Sequence, residues 1–339
     1  MVENSMITVC YTADSGYAMQ VAVSMVSMLD HNKTQKIQFY ILGDNYNEDI
    51  RRKFKQVEQN YHTNIQILDI RNKMRILADT ALAKEPGIMK NGIISFMFAR
   101  LFMGSSLPES ITKVIYIDCD TLYINDIRKL YDTQLEDEKI FAAVRDLWPI
   151  SYNKTLGLPE NELYFQSGIM LVDLNRWRAE RCEEQLIALA QKATHYYHMH
   201  DQDLLNLCFY GRIQTLSPSY GMVYILRHYS AQQILWFSSK SEEHYYSKEK
   251  INMAKQDTHV VHYAGDYYGR PWEFPNACQD SRLWYSYYVK TPWGNQPIGI
   301  PYCTNLWLKY SIKKLVAPFA KTYWLHRTKK RFEKINTCS

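Results

Sequence analysis

Lys113-Val114-Ile115-Tyr116-Ile117-Asp118-Cys119-Asp120 is an apolar, β-branched run that stops on two carboxylates one residue apart. The run reads as a buried strand that delivers Asp118 and Asp120 to the mouth of a sheet. Residues i and i+2 of an extended segment point the same way. Both carboxylates therefore reach one hard cation, which takes oxygen ligands and leaves positions for diphosphate oxygens. The competing reading is that the two aspartates solvate a turn or cap the next helix.

Outward from this strand, the first half of the chain alternates short β-branched runs with amphipathic segments. Ile7–Thr12 precedes Tyr17–Leu29, Ile37–Leu42 precedes Glu48–Tyr61, and Ile65–Asp69 precedes a long polar stretch. Such alternation predicts βαβ units and a mostly parallel sheet. Ligands of these sheets bind at the carboxyl ends of the strands, where strand order reverses. Asp14 and Asp118, each just past a strand, are expected to meet there. Further on, Phe141–Val144 and Gly168–Asp173 read as strands, and Asn175 is expected to cap a helix running to Ala193. A second helix is expected over Asp201–Phe209, and His259–His262 reads as a returning strand. Ser219–Lys255, rich in Tyr, Ser and charge without clear period, suits an excursion that covers substrate.

With 339 residues and 46% apolar content the chain can bury a sizeable core. Seven scattered cysteines show no paired spacing, which points to a reducing, cytosolic compartment. The start of the chain shows no basic segment followed by an apolar stretch, and no uncharged run reaches spanning length, so a soluble or peripheral protein is expected. Net charge is +5, unevenly spread. From Leu306 to Ser339 nine Lys or Arg face one acid, Glu333, whereas the remainder carries 31 basic and 34 acidic residues.

Several constellations carry chemistry, each with a plainer alternative. Thr12-Ala13-Asp14-Ser15-Gly16-Tyr17 is a small-residue turn between strand and helix. Its carboxylate can accept the N–H of a pyrimidine while Tyr17 stacks on the ring, or Asp14 simply caps the helix. His262-Tyr263-Ala264-Gly265 follows a strand and precedes Arg270-Pro271-Trp272. Imidazole is a good ligand for a first-row metal and Arg270 a permanent cation for phosphate oxygens, whereas a histidine after a strand is otherwise a structural group. His200-Asp201-Gln202-Asp203 opens a helix; Asp201 can hold sugar hydroxyls or serve as a cap. Gln202 offers an amide oxygen to a cationic anomeric carbon. Asp146, after Phe141–Val144, is a sugar-hydroxyl candidate or a turn residue. With 27 tyrosines and 8 tryptophans the chain has flat platforms for sugar rings, most of them scaffold. A transferase that uses a nucleotide-sugar donor needs a metal and phosphate-binding cations together, because the departing diphosphate gains charge as its bond to the sugar breaks.

The tail interleaves Trp307, Leu308, Ile312, Leu315 and Val316 with lysines, and Pro318 then interrupts before Tyr323, Trp324 and Leu325. A basic amphipathic segment of this kind is expected to lie on an anionic membrane surface, each cation contributing roughly 1 kcal/mol. The alternative is a terminal helix that packs its apolar stripe on the body. Nucleic acid is not expected as a partner, because the body is net acidic. A composition break near 295–305 divides the chain into a body, 1–295, and a tail, 296–339.

In this order the motifs resemble glycosyltransferase family 8, in particular its bacterial lipopolysaccharide galactosyl- and glucosyltransferases, with glycogenin a more distant relative. The resemblance spans roughly Ile7 to Trp272. It rests on Tyr11-Thr-Ala-Asp14 with Tyr17, Phe98-Ala-Arg100-Leu101, Tyr116-Ile-Asp118-Cys-Asp120, Tyr164-Phe-Gln-Ser-Gly168 leading to Trp177, Asp201-Gln202-Asp203 and His262-Tyr-Ala-Gly265. It implies a GT-A fold: an α/β, Rossmann-like, mostly parallel central sheet with helices on both faces, here followed by a helical basic tail. It further implies Mn²⁺ or Mg²⁺ held by Asp118, Asp120 and His262, and a UDP-sugar donor bound through Asp14 and Tyr17 beside Thr12, Ala13 and Cys119. Arg100 would touch donor sugar or phosphate, with Gln166, Gly265 and Arg270 completing the donor site. Gln202 would lie beside the anomeric carbon, and Asp201 and Asp146 would bind donor or acceptor hydroxyls. Family members retain anomeric configuration, so an α-linked glucose or galactose on a cell-surface glycan or glycolipid acceptor is the implied product.

Two departures stand out. Gln166 occupies a place where the family usually has Asn, and the family's Gly-x-x-Lys-Pro-Trp clamp appears here two residues longer, with Arg270 for Lys. A nucleotidyltransferase would share the strand-end acids but needs a Gly-rich basic loop after the first strand, and Thr12–Tyr17 has no cation. A non-catalytic, membrane-associated sugar-nucleotide-binding partner is the alternative from another class.

Overall fold

The computed structural model describes residues 5–90, 93–264, 269–273, 278–296, 308, 312, 315–316 and 321–335. The strands are β1 (Ile7–Ala13), β2 (Ile37–Gly43), β3 (Asn64–Asp69), β4 (Met89–Lys90), β5 (Ile93–Ile94), β6 (Lys113–Ile117), β7 (Thr121–Tyr123), β8 (Phe141–Arg145), β9 (Phe165–Asp173), β10 (Ile213–Thr215), β11 (Met222–Val223) and β12 (Val260–His262). Seven of them form a central sheet in the order β10-β8-β9-β6-β1-β2-β3, and a smaller sheet runs β11-β12-β7.

Pairing is parallel along β3-β2-β1-β6 and between β8 and β10. β9 alone of the seven runs against its neighbours. Its reversal places the start of β9 against the end of β6. Ile117 pairs with Ile169, and the Asp118 N–H donates to the Gly168 carbonyl at 2.8 Å.

Alternation explains why the sheet is covered on both faces. Val9, Tyr11, Ile115 and Ile117 enter one apolar core, and Cys10, Val114, Tyr116 and Met170 enter the other. Successive strand side chains point to opposite faces, so β-branched runs without polar interruption suit a sheet buried on both sides.

The helix Ala18–His31 locks the small sheet to the large one. Ser24 Oγ lies 3.0 Å from both Tyr11 Oη in β1 and Thr121 Oγ1 in β7, and Ser27 Oγ accepts the Tyr123 N–H at 2.9 Å. β12 pairs antiparallel with β7, His262 opposite Thr121. A histidine more than a hundred residues downstream is thereby delivered beside the Asp118–Asp120 turn.

Three expectations need correction. The segment after β9 forms two helices, Leu174–Ala179 and Cys182–Lys192, because Arg181 adopts φ 55° and breaks the run; the first is capped by Asp173, not Asn175. Ser219–Lys255, read as lacking a clear period, holds the helices Tyr224–His228, Ala231–Ser238 and Lys248–Gln256, whose apolar faces join the core. Part of the tail follows the alternative reading. In the helix Lys321–Ile335, Leu325 is buried, the Trp236 and His326 rings lie 4.4 Å apart, and Lys329 Nζ donates to Ser239 Oγ at 2.7 Å. The described tail positions before it, Leu308, Ile312, Leu315 and Val316, are exposed. Among the described residues no helix is long and apolar enough to cross a membrane.

Candidate active site

Asp118 and Asp120 follow the end of β6, and His262 ends β12. One ligand atom from each lies within 4.8 Å of the others. The buried His262 presents Nε2 to Asp120 Oδ1 at 3.0 Å and to Asp118 Oδ2 at 3.7 Å. Backbone pairing fixes the approach, since the Tyr263 N–H donates to the Asp120 carbonyl at 2.8 Å. Gly168 makes room for the ring: a Cβ there would lie 2.4 Å from His262 Cε1 and 3.0 Å from Asp118 Oδ2. No side chain larger than hydrogen fits that position.

The electrostatics are those of a crowded, half-dry cluster. Burial raises the Asp118 carboxyl above the usual range, with Arg100 opposing and Asp120 adding to the rise. Burial also pushes Asp120 upward, but the His262 charge and hydrogen bond outweigh it and hold this carboxyl low. The same contact with Asp120 lifts the imidazole above its ordinary value against the burial penalty. The two neighbouring carboxylates are like charges held together, and a divalent cation relieves that repulsion. Two oxygen donors and one nitrogen donor suit Mn²⁺ or Mg²⁺.

Arg100 lies against this cluster. It is buried in the 3₁₀ helix Phe96–Phe102. Its guanidinium pairs with Asp118 Oδ1 and Asp201 Oδ2, each at 2.9 Å, and donates to the Ser167 carbonyl at 2.7 Å and Ser167 Oγ at 2.9 Å. It also stacks 4.5 Å over the Tyr116 ring, whose hydroxyl donates to Asp118 Oδ1 at 2.6 Å. Asp201 is thus no cap: it sits inside the first turn of the helix His200–Phe209, pointed at Arg100.

Gln202 is held on all sides. Its Oε1 accepts the Ser167 N–H at 3.0 Å, and its Nε2 donates to Tyr164 Oη at 3.0 Å and Asp146 Oδ2 at 3.3 Å. Tyr164 in turn donates to Asp203 Oδ1 at 2.5 Å, and Tyr152 donates to Asp203 Oδ2 at 2.7 Å. Burial raises Asp203 to about 6 despite these donors. Lys240 approaches from the far side, donating to the Asp146 carbonyl at 2.9 Å, and burial pulls its ammonium down to about 8.

On the β1 side, Asp14 does cap the short 3₁₀ helix Ser15–Tyr17, accepting the Gly16 N–H at 2.9 Å. Thr12 Oγ1 lies 2.9 Å from Tyr116 Oη, Ala13 ends β1 with its carbonyl accepting from Tyr46 Oη at 2.9 Å, and Cys119 is half-buried between the two acids. Arg270 donates to Tyr17 Oη at 3.0 Å and lies within electrostatic reach of Asp120. Gln166 approaches His262 Nδ1. Gly265 lies outside the described residues.

Ser167, Tyr116, Tyr164, Asp203 and Lys240 complete the constellation but had not been singled out from sequence. Asp203 was quoted within its motif without a role. Lys240 sits in a Tyr- and Ser-rich stretch with no pattern that marks it.

The model of the glycosyl transferase family 8 matches residues 8–274, most of the chain and all the site residues just described. The chain belongs to that family. It is similar to general stress protein A of Bacillus subtilis (strain 168), 25% identical over 294 residues that cover 85% of this chain and 94% of that protein. A lipopolysaccharide 1,2-glucosyltransferase of Escherichia coli (strain K12) is 25% identical over 270 residues, covering 78% and 72% of the two chains. In fold, this family 8 chain matches the galactosyltransferase LgtC, solved with donor and acceptor sugar analogs, with a TM-score of 0.65 at 20% identity over 84% of this chain and 96% of that one. The expected GT-A architecture, a mixed sheet flanked by helices, is therefore present.

Proposed function

We propose that this family 8 glycosyltransferase moves glucose or galactose from its UDP donor to a hydroxyl of a cell-surface glycan or glycolipid, with retention and hence an α-linkage. The observation that carries this reading is the convergence of Asp118, Asp120 and His262 within 4.8 Å, with Arg270 and Tyr17 at one side. Asp118, Asp120 and His262 would hold Mn²⁺ or Mg²⁺. Bound there, the cation supplies charge neutralisation for the leaving diphosphate.

The chain's own groups divide the remaining work. Asp14 and Tyr17 offer an acceptor and a ring face to the base, with Thr12, Ala13 and Cys119 lining the strand ends beside them. Arg270 adds a fixed cation for phosphate oxygens, already oriented by Tyr17 Oη. Gln202, its amide held by Ser167, Tyr164 and Asp146, presents a fixed dipole to the anomeric carbon without reorganising as charge develops there. Asp146 and Asp201 orient hydroxyls, and Arg100 holds Asp118 and Asp201 in place. The proton of the incoming hydroxyl passes to the leaving diphosphate on the same face.

The support for a hexose and for a surface glycan comes from the lipopolysaccharide glucosyl- and galactosyltransferases that the chain resembles. We further read 1–295 as the catalytic body and 296–339 as a membrane-association segment on the cytoplasmic face. Four helical tail positions, Leu308, Ile312, Leu315 and Val316, recur at helical spacing and are exposed, among nine basic residues. A screen of UDP-hexoses for UDP release, with and without Mn²⁺, tests the activity. Turnover that needs Mn²⁺ and vanishes together with UDP affinity in Asp120→Ala is the expected result. Donor bound but never turned over would instead identify a binding protein, and activity retained in Asp120→Ala would remove the site assignment.

A further inference from the structure

Gln166, buried near the start of β9, faces the imidazole on the side away from the acids. Its Oε1 lies 3.4 Å from His262 Nδ1, and its Nε2 donates to the Gly221 carbonyl at 3.5 Å. A backbone carbonyl only accepts, so it selects the NH₂ end of the amide and turns the oxygen toward the ring. An amide oxygen also only accepts, so Nδ1 must carry a proton. Nε2, the nitrogen that points at Asp118 and Asp120, donates its own proton to Asp120 in the absence of a cation; once a cation takes that proton's place, the Nε2 lone pair faces it while Nδ1 stays protonated.

Two glycines make this arrangement possible. A Cβ on Gly221 would lie 2.5 Å from Gln166 Nε2, and one on Gly168 would lie 2.4 Å from His262 Cε1. Amide and imidazole are therefore seated against backbone on both sides. Length matters as well. An Asn at 166 is one methylene shorter, about 1.5 Å, which takes its oxygen out of hydrogen-bond reach of the ring.

We propose that Gln166 is a positioning residue for the metal centre: it holds His262 as the Nδ1–H tautomer and presents Nε2 to the cation, rather than touching the donor sugar. This rests on the metal-site reading above. Groups that hold the far nitrogen of a metal-bound histidine fix both tautomer and ring orientation.

The test uses the full chain and Mn²⁺ alone, with no nucleotide, following free Mn²⁺ by electron paramagnetic resonance. Gln166→Leu and Gln166→Asn should weaken Mn²⁺ binding roughly 10- to 100-fold. Gln166→Glu, which keeps an acceptor for Nδ1 but loses the donor to the Gly221 carbonyl, should bind more tightly than Gln166→Leu. With ¹⁵N-labelled histidine and diamagnetic Mg²⁺, His262 should show a protonated Nδ1 in the wild type and a mixture of tautomers in Gln166→Leu. Gly221→Ala, which displaces the amide without altering it, serves as a second route should Gln166→Leu fail to fold, and is expected to give the same loss. Wild-type affinity in Gln166→Leu, with its tautomer unchanged, overturns the assignment while leaving the metal centre intact. A wild type that takes up no Mn²⁺ removes both.

Discussion

Arg100→Met puts a number on the cation beneath the site. Arg100 is 5% exposed and is shared by Asp118 and Asp201. Methionine keeps much of the bulk but takes the shared guanidinium away from the buried Asp201 and the half-buried Asp118, leaving His262 beside Asp118. Burial already raises both, and Arg100 is the main group opposing that rise. Breaking a buried pair from one side typically costs about 3–5 kcal/mol. The cost has a ceiling, because one carboxylate can take up a proton instead. From an ordinary pKa near 4 that uptake costs about 4 kcal/mol at pH 7 and about 1.5 kcal/mol at pH 5, at 1.36 kcal/mol per unit. The sign follows from linkage. In the variant the folded carboxylate holds its proton more tightly than the unfolded one, so its stability relative to wild type is greatest in acid and is lost as pH rises. Urea unfolding of both proteins at pH 5, 6 and 7 should show a gap that widens from about 1.5 to about 4 kcal/mol. Arg100→Met/Asp201→Leu, which also removes one of the two acids, should recover at least half of it. A gap below about 1 kcal/mol at pH 7, or one that does not change with pH, would refute the account of Arg100 as the counter-charge of the site.

Gly168→Ala should abolish Mn²⁺ binding and lower stability by about 1–3 kcal/mol, because its methyl meets the imidazole at 2.4 Å; calorimetric titration and thermal unfolding read the two effects, and unchanged Mn²⁺ affinity would contradict the packing. Asp203, raised to about 6 by burial, should make the wild type lose about 2 kcal/mol of stability as pH climbs from 4 to 6. Asp203→Asn, which cannot titrate, should lack that dependence in urea midpoints taken across the same range. Deleting 296–339 should abolish co-sedimentation with anionic lipid vesicles without changing Mn²⁺ affinity, and vesicle binding that survives the deletion would place the membrane contact elsewhere.

How much of this was legible in sequence depends on where the information lies. The strand before Asp118 and the βαβ pattern of the first half were legible because burial on both faces leaves unbroken β-branched runs. The convergence of Asp118, Asp120 and His262 was legible because the two acids follow β6 and the histidine ends β12, so local sequence already placed each at a sheet edge. Arg181 was not: a left-handed residue at φ 55° is a backbone choice that no side-chain pattern announces, and the helix expected through it is two. The helices of Ser219–Lys255 were not legible because they are short, and several buried tyrosines, Tyr229, Tyr245 and Tyr246, lie between them rather than on an apolar stripe. Lys240 was invisible for a related reason: its contact with Asp146 spans 94 residues.

The reversed strand β9 is what makes the separate motifs one site. Had β9 run parallel to β6, its start would lie at the opposite edge of the sheet, some five residues or roughly 16 Å from Asp118 at about 3.3 Å per residue. Running antiparallel, it brings Gln166, Ser167 and Gly168 to the same edge as the acids. Each of the three then performs a different service: Gln166 reaches the far nitrogen of His262, Ser167 bridges Arg100 to Gln202 and Asp201, and Gly168 leaves the volume the imidazole fills. Arg100 consequently directs Nε, both N–H groups of Nη1 and one of Nη2 at Asp118, Asp201, Ser167 and the Met97 carbonyl. In this chain the guanidinium thereby fixes the geometry of two carboxylates that come from different elements.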